Sequence, residues 1–189
     1  RNLRKLGIVD ILTGTNERGY TMKIDPDEVD LLVFIKNQRQ IRRFLEQGDL
    51  READQLLAAN LPLNEGPLFG DLHCGEILLD YKESYKEYVA AMARDCFELR
   101  LRQGRHREIV TDLLVACQKW PYDEDLAAKL MLALHRCNRR IEALNAYNRL
   151  DKAVRDNLGL DVSRWIQKLY TLLLADDECL NDLNIQFSA

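Results

Sequence analysis

Apolar side chains recur at helical spacing through most of this chain. Leu31, Phe34, Ile35, Ile41, Phe44 and Leu45 fall on one face, bracketed by Asp25-Pro26-Asp27-Glu28 before them and Gly48 after. Asp25 as N-cap, Pro26 at the first helical position and Glu28 as the return half of a capping box predict one helix from Pro26 to Gly48. Leu50 to Asn60 carries Ala53, Leu56 and Leu57 on one side and predicts a second. Residues 61–70 hold two prolines and two glycines and predict a long loop. A long helix should follow from Glu76 to Gln103, stopped by Gly104, and then four more at about 106–119, 123–137, 140–157 and 163–175. The first 24 residues break the pattern. Ile8 to Thr13 and Arg18 to Ile24 are rich in β-branched and aromatic residues and flank a polar tip, Gly14-Thr15-Asn16-Glu17, which predicts a β-hairpin.

Within the helical part the pattern repeats. Gly104-Arg105-His106-Arg107-Glu108-Ile109 lies over Asn138-Arg139-Arg140-Ile141-Glu142-Ala143 at an offset of 34, and Gly48-Asp49-Leu50-Arg51-Glu52-Ala53 is a third copy. Two helices per unit and a period of 34 resemble tetratricopeptide repeats. Each helical hairpin has an apolar face it cannot bury alone, so the units should stack into a short solenoid. The same period sets Arg102 over Arg136 and Arg105 over Arg139, predicting a basic edge with His106, Arg107 and Arg140. The opposite turns carry Asp123, Glu124, Asp125, Asp156 and Asp161 and should be acidic. The basic edge is a candidate partner-binding surface; a solvated charge run is the plainer reading.

Charge divides the chain. The net charge of −4 combines a first segment, residues 1–24, with five basic and two acidic side chains, and a remainder with 22 basic and 29 acidic ones. A positive head on an acidic body suits a nucleic-acid end joined to a protein-contacting end. Arg1-Asn2-Leu3-Arg4-Lys5-Leu6-Gly7 reads as the last turns of a basic helix, and a basic helix followed at once by a hairpin is the order of a recognition helix and its wing. The five cysteines are scattered and form no C-x-x-C pair, which points to reduced thiols in a cytoplasmic protein. No run of 18 apolar residues offers a membrane span.

Enzymatic chemistry finds no foothold. Phosphate-loop, dinucleotide, zinc-protease and serine-nucleophile motifs do not occur. His73-Cys74 and His135 with Cys137 lack the second close pair that structural zinc requires, so neither a metal nor a cofactor is expected. Tyr81, Tyr85 and Tyr88 form a stripe on the long helix that reads as packing.

With these residues on the page, a family resemblance emerges. Ile11-Leu12-Thr13-Gly14 with Arg18-Gly19-Tyr20 resembles the end of OmpR-type winged-helix domains. Ile24 to Asp30, Gly66-Pro67-Leu68, Gly104 to Val110, Leu130 to Leu134, Glu142-Ala143-Leu144 with Tyr147, and Leu158-Gly159-Leu160 resemble the bacterial transcriptional activation domain. Together they resemble the Streptomyces antibiotic regulatory protein family. Departures are Val162 where the family has proline, a long loop without its usual tryptophan, and the absence of most of the winged helix.

The resemblance implies a mainly α fold: a tetratricopeptide-like solenoid over 25–175, preceded by the wing of a truncated winged-helix domain over 1–24 and followed by a polar tail over 176–189. It implies a non-enzymatic activator that binds promoter DNA repeats and recruits RNA polymerase holoenzyme to switch on a biosynthetic cluster. Arg1, Arg4 and Lys5 match the end of the recognition helix and Asn16 and Arg18 the wing, so these would touch DNA. Arg102, Arg105, Arg136 and Arg139 would meet a protein partner. A homodimer is open to such a chain, and a membrane is not expected. The alternative is an interaction or ligand-sensing module with no DNA binding of its own.

Overall fold

The computed structural model describes residues 12–15, 19–60 and 76–182, with side-chain environments over 23–60, at 82 and over 84–182. Its first feature is a pair of short antiparallel strands, β1 (Leu12–Thr15) and β2 (Gly19–Met22), in the register Leu12 opposite Met22 and Thr15 opposite Gly19. No third strand joins them among the described residues. The basic helix assigned to Arg1–Leu6 lies outside those residues, so a winged helix is not supported here; the part described is a two-stranded ribbon ahead of a helical body.

Seven α-helices make up the body among the described residues: α1 (Asp30–Gln47), α2 (Leu50–Asn60), α3 (Glu76–Arg102), α4 (His106–Lys119), α5 (Glu124–Arg136), α6 (Arg140–Leu158) and α7 (Arg164–Ala175). The start of α1 differs from expectation. Asp25 Oδ1 accepts from the Asp27 amide, and the resulting 3-10 turn, Pro26–Glu28, ends at Val29 in an extended conformation before α1 begins. A side chain capping two residues ahead winds a tighter turn than a capping box, which accepts at the third.

The repeat seen in sequence is a repeat of one hydrogen-bonded turn. Gly48, Gly104 and Asn138 all adopt left-handed backbone, with φ of 83°, 74° and 59°. The next residue in each case donates its amide five positions back, closing a six-residue turn: Asp49 to Phe44, Arg105 to Arg100 and Arg139 to Leu134, each at 2.9 Å. This is the Schellman closure of a helix C-terminus, which needs a residue tolerant of positive φ. A fourth copy follows α7, where Asp176 has φ 56° and the Asp177 amide donates to Leu172 O. Among the described residues it is followed by a 3-10 turn, Glu178–Asn181, capped by Asp177. The body is therefore four units, α1–α2, α3–α4, α5–α6 and α7 with this short turn.

The polar tail expected from residue 176 is corrected as far as Asp182. Leu180 is fully buried in the main core, and Arg136 donates to Leu180 O at 2.8 Å and to Asp182 O at 2.5 Å. One apolar residue among acids gives no periodicity, so the segment reads as solvated until its docking is seen.

Two cores share α3. Phe34, Ile41, Leu45, Ala53 and Leu57 of α1 and α2 close on Met92 and Leu99. The larger core gathers Phe97 and Leu101 with α4 to α7, and in α5 every residue from Leu126 to His135 is buried. Val162, at the position of the missing proline, is also buried there. Tyr85 packs 5.6 Å from Phe34, and Tyr147 stacks on Tyr170 at 4.0 Å, so these tyrosines serve the packing.

Candidate interaction surfaces

Of the predicted DNA-contacting residues, Arg1, Arg4, Lys5, Asn16 and Arg18 all lie outside the described residues. The four arginines of the expected basic edge are described, and they divide into two kinds.

Arg102 and Arg136 face inward. Arg102 donates to Glu98 at 2.7 Å and to Leu45 O, a C-terminal carbonyl of α1, at 2.6 Å. Arg136 holds the 3-10 turn, and burial lowers its pKa. Glu98 faces both and also Lys129 at 3.5 Å, so this carboxylate sits within a buried cluster of cations. Arg140 behaves similarly, donating to Leu173 O and Leu174 O at the end of α7. Each such guanidinium satisfies carbonyls that a helix end leaves unpaired.

Arg105 and Arg139 face outward. Arg105 donates from two nitrogens to Glu108 Oε2, and Arg139 donates from two nitrogens to the two carboxylate oxygens of Glu142. Their positions are as the 34-residue period requires, but each carries its own carboxylate. His106, on the same edge, has an unpaired Nδ1 and a pKa lowered by burial and by Arg136.

The acidic turn residues are also engaged. Asp123 caps α5 through the Leu126 amide and accepts from Arg94 at 2.7 Å. Glu124 accepts from both the amide and hydroxyl of Ser163, fastening the start of α7. Asp125 pairs with Lys129, and Asp161 with Arg155.

Between these turns and α1 lies a groove of about 1100 Å³. Arg42 and Glu46 line it from α1, Asp95 and Glu98 from α3, Lys129 from α5, Trp120 and Tyr122 from the turn after α4, and Trp165 from the first turn of α7. Asp95 is nine-tenths buried. Its Oδ2 accepts from Gln38 at 2.9 Å, and burial pushes its pKa up to about 6 despite Gln38, Arg42 and Lys129. Lys119 lies 4.4 Å from the centre of the Trp120 ring. Sequence reasoning passed over Asp95, because an acid on a long helix looks like any other solvated charge.

Among the described residues no group of three or more His, Cys, Asp or Glu side chains is placed to hold a metal, and no helix is long and apolar enough to cross a membrane. His135 Nδ1 stands 3.8 Å from Asp176 and is otherwise unpaired. Cys117 is an inert thiol, pushed up to about 11 by burial.

Residues 29–174 match the family model described as "Bacterial transcriptional activator domain". The chain is 30% identical over 159 residues to the regulatory protein DnrI of Streptomyces peucetius, covering 84% of this chain and 58% of that protein. It is 26% identical over 162 residues to the transcriptional regulator RedD of Streptomyces coelicolor, covering 86% and 46%. A solved structure of Mycobacterium tuberculosis EmbR, in complex with a low-affinity phosphopeptide, superposes with a TM-score of 0.83 at 26% identity, covering 93% of this chain and 48% of that one. The chain thus spans about half the length of the relatives it matches.

Proposed function

The chain belongs to the bacterial transcriptional activator domain family, in the form carried by Streptomyces antibiotic regulatory proteins, and from that membership we propose that it is the protein-contacting part of a DNA-binding transcriptional activator. The full protein binds promoter repeats and recruits RNA polymerase at a biosynthetic cluster. The family match over residues 29–174 carries this reading, and the charge division supports it. DNA contact is assigned to the basic first segment, with Arg1, Arg4 and Lys5 on phosphates and Arg18 beside Asn16 at a hairpin tip able to reach the minor groove. That assignment treats the first 24 residues as the end of a winged helix.

The longer gene product should retard its own promoter fragment in a gel-shift experiment. The 189-residue chain alone should bind DNA weakly and without sequence preference, with an affinity that falls steeply as salt rises. Tight, selective binding by this chain alone would contradict the assignment.

Partner contact is proposed at Arg105 and Arg139, which are exposed, whereas Arg102 and Arg136 hold units together. Reversing Arg105 and Arg139 to Glu should barely move the melting temperature, since exposed ion pairs contribute little. Transcription by the full-length protein should weaken, most visibly at low salt. Unchanged transcription would return both arginines to ordinary surface charge.

A further inference from the structure

The groove between α1 and the 120–123 turn holds charges of unequal status. Most of its ionic side chains are matched: Arg94 with Asp123, Arg102 with Glu98, and Lys129 with Asp125. Asp95 is the exception among the buried ones. Its Oδ2 takes one amide proton from Gln38, while Oδ1 has no protein donor, and the side chain lines the groove. The side chain as a whole is nine-tenths buried, and this second oxygen opens on the groove rather than being sealed among protein atoms, so it is available to a donor that enters. Arg42 and Lys129 come near enough to act on it electrostatically, but neither makes a hydrogen bond or ion pair to it, and Lys129 is already paired with Asp125.

The opposite wall is aromatic. Trp120, Tyr122 and Trp165 line the same groove, and Trp120 already carries a cation, Lys119, on its face. A carboxylate and aromatic rings lining one groove are the pairing that recognises an organic cation: the carboxylate takes the charge, and the rings take both the charge and the apolar body.

From this geometry we infer that the groove is a binding site for a small organic amine carrying an apolar or aromatic body, with Asp95 as its counter-ion and Trp120, Tyr122 and Trp165 as its wall. The site stands apart from the DNA-binding reading, because it depends only on residues of the helical body. Arg42 competes for the same carboxylate, so it sets how readily an amine enters.

The chain contains two tryptophans, and both line the groove, so intrinsic fluorescence reports occupancy directly. Hexylammonium and hexanoate, matched in length and opposite in charge, are the probes, titrated into the folded chain near neutral pH. Hexylammonium should change the emission saturably, with a dissociation constant on the order of a millimolar for so small a ligand. Hexanoate should bind at least about tenfold more weakly. Asp95→Asn keeps the shape and can still accept from Gln38, and it should weaken hexylammonium about tenfold while the chain stays folded. Arg42→Gln should tighten hexylammonium severalfold by removing the competing cation, a result that a purely structural Asp95 would not produce. Equal or tighter binding of hexanoate, no saturable change with hexylammonium, or indifference to Asp95→Asn would each overturn the assignment.

Discussion

Leu180→Ala should lower the stability of this chain by about 2–4 kcal/mol, the cost of emptying a fully enclosed leucine site. For a chain of this length that is a melting-temperature loss of roughly 5–15 °C. The size follows from where Leu180 sits: on a one-turn element, wholly inside the larger core, with its carbonyl held by Arg136. Ile141→Ala is the control. It removes a similar side chain that is 77% exposed, and its effect should stay within about 0.5 kcal/mol. Thermal unfolding followed by circular dichroism separates the two variants. Equal, small effects would mean that the fourth unit is not part of the cooperative fold.

Asp95→Asn should act in the opposite sense, and its effect should depend on pH. Burial holds the folded-state pKa at about 6 against an ordinary 3.8, so between those values the folded chain binds more protons than the unfolded one. Stability from this group is therefore full below about 4 and is lost as pH rises through 6. At neutral pH the chain carries an ionised carboxylate that its surroundings disfavour, at a cost on the order of 3 kcal/mol. Asparagine cannot ionise. The variant should be more stable by about 1–3 kcal/mol near pH 8, with the gain disappearing near about pH 4.5. Denaturant unfolding at the two pH values measures it. A gain of equal size at both would mean that ionisation of Asp95 plays no part. Stabilisation together with lost amine binding would also identify the acid as a feature retained at a cost to the fold.

What the sequence made legible follows what periodicity encodes. Helix boundaries came within a residue or two wherever a left-handed residue or a capping acid stood at the end, as at Gly48, Gly104 and Asp123. The offset of 34 placed Arg105 and Arg139 correctly because it follows the backbone turn. It could not choose rotamers, so Arg102 and Arg136 were expected on the surface and instead turn toward Leu45 O and Leu180 O. The groove was illegible for another reason. Asp95 and Trp165 are 70 positions apart on different helices, and only the stacking of units brings them to one cavity. Neither residue type, nor any local spacing, marks such a meeting.

The four left-handed turns have a consequence for how such chains diverge. Each is held by main-chain hydrogen bonds, and its only demand on sequence is a residue that accepts positive φ: Gly, Gly, Asn and Asp at the four positions here. Substitutions elsewhere in a unit can accumulate while that turn persists. The number of units in a relative of this chain is better counted from six-residue closures at left-handed residues than from any alignment of side chains; Gly159, left-handed but closed only to Arg155, does not count as one.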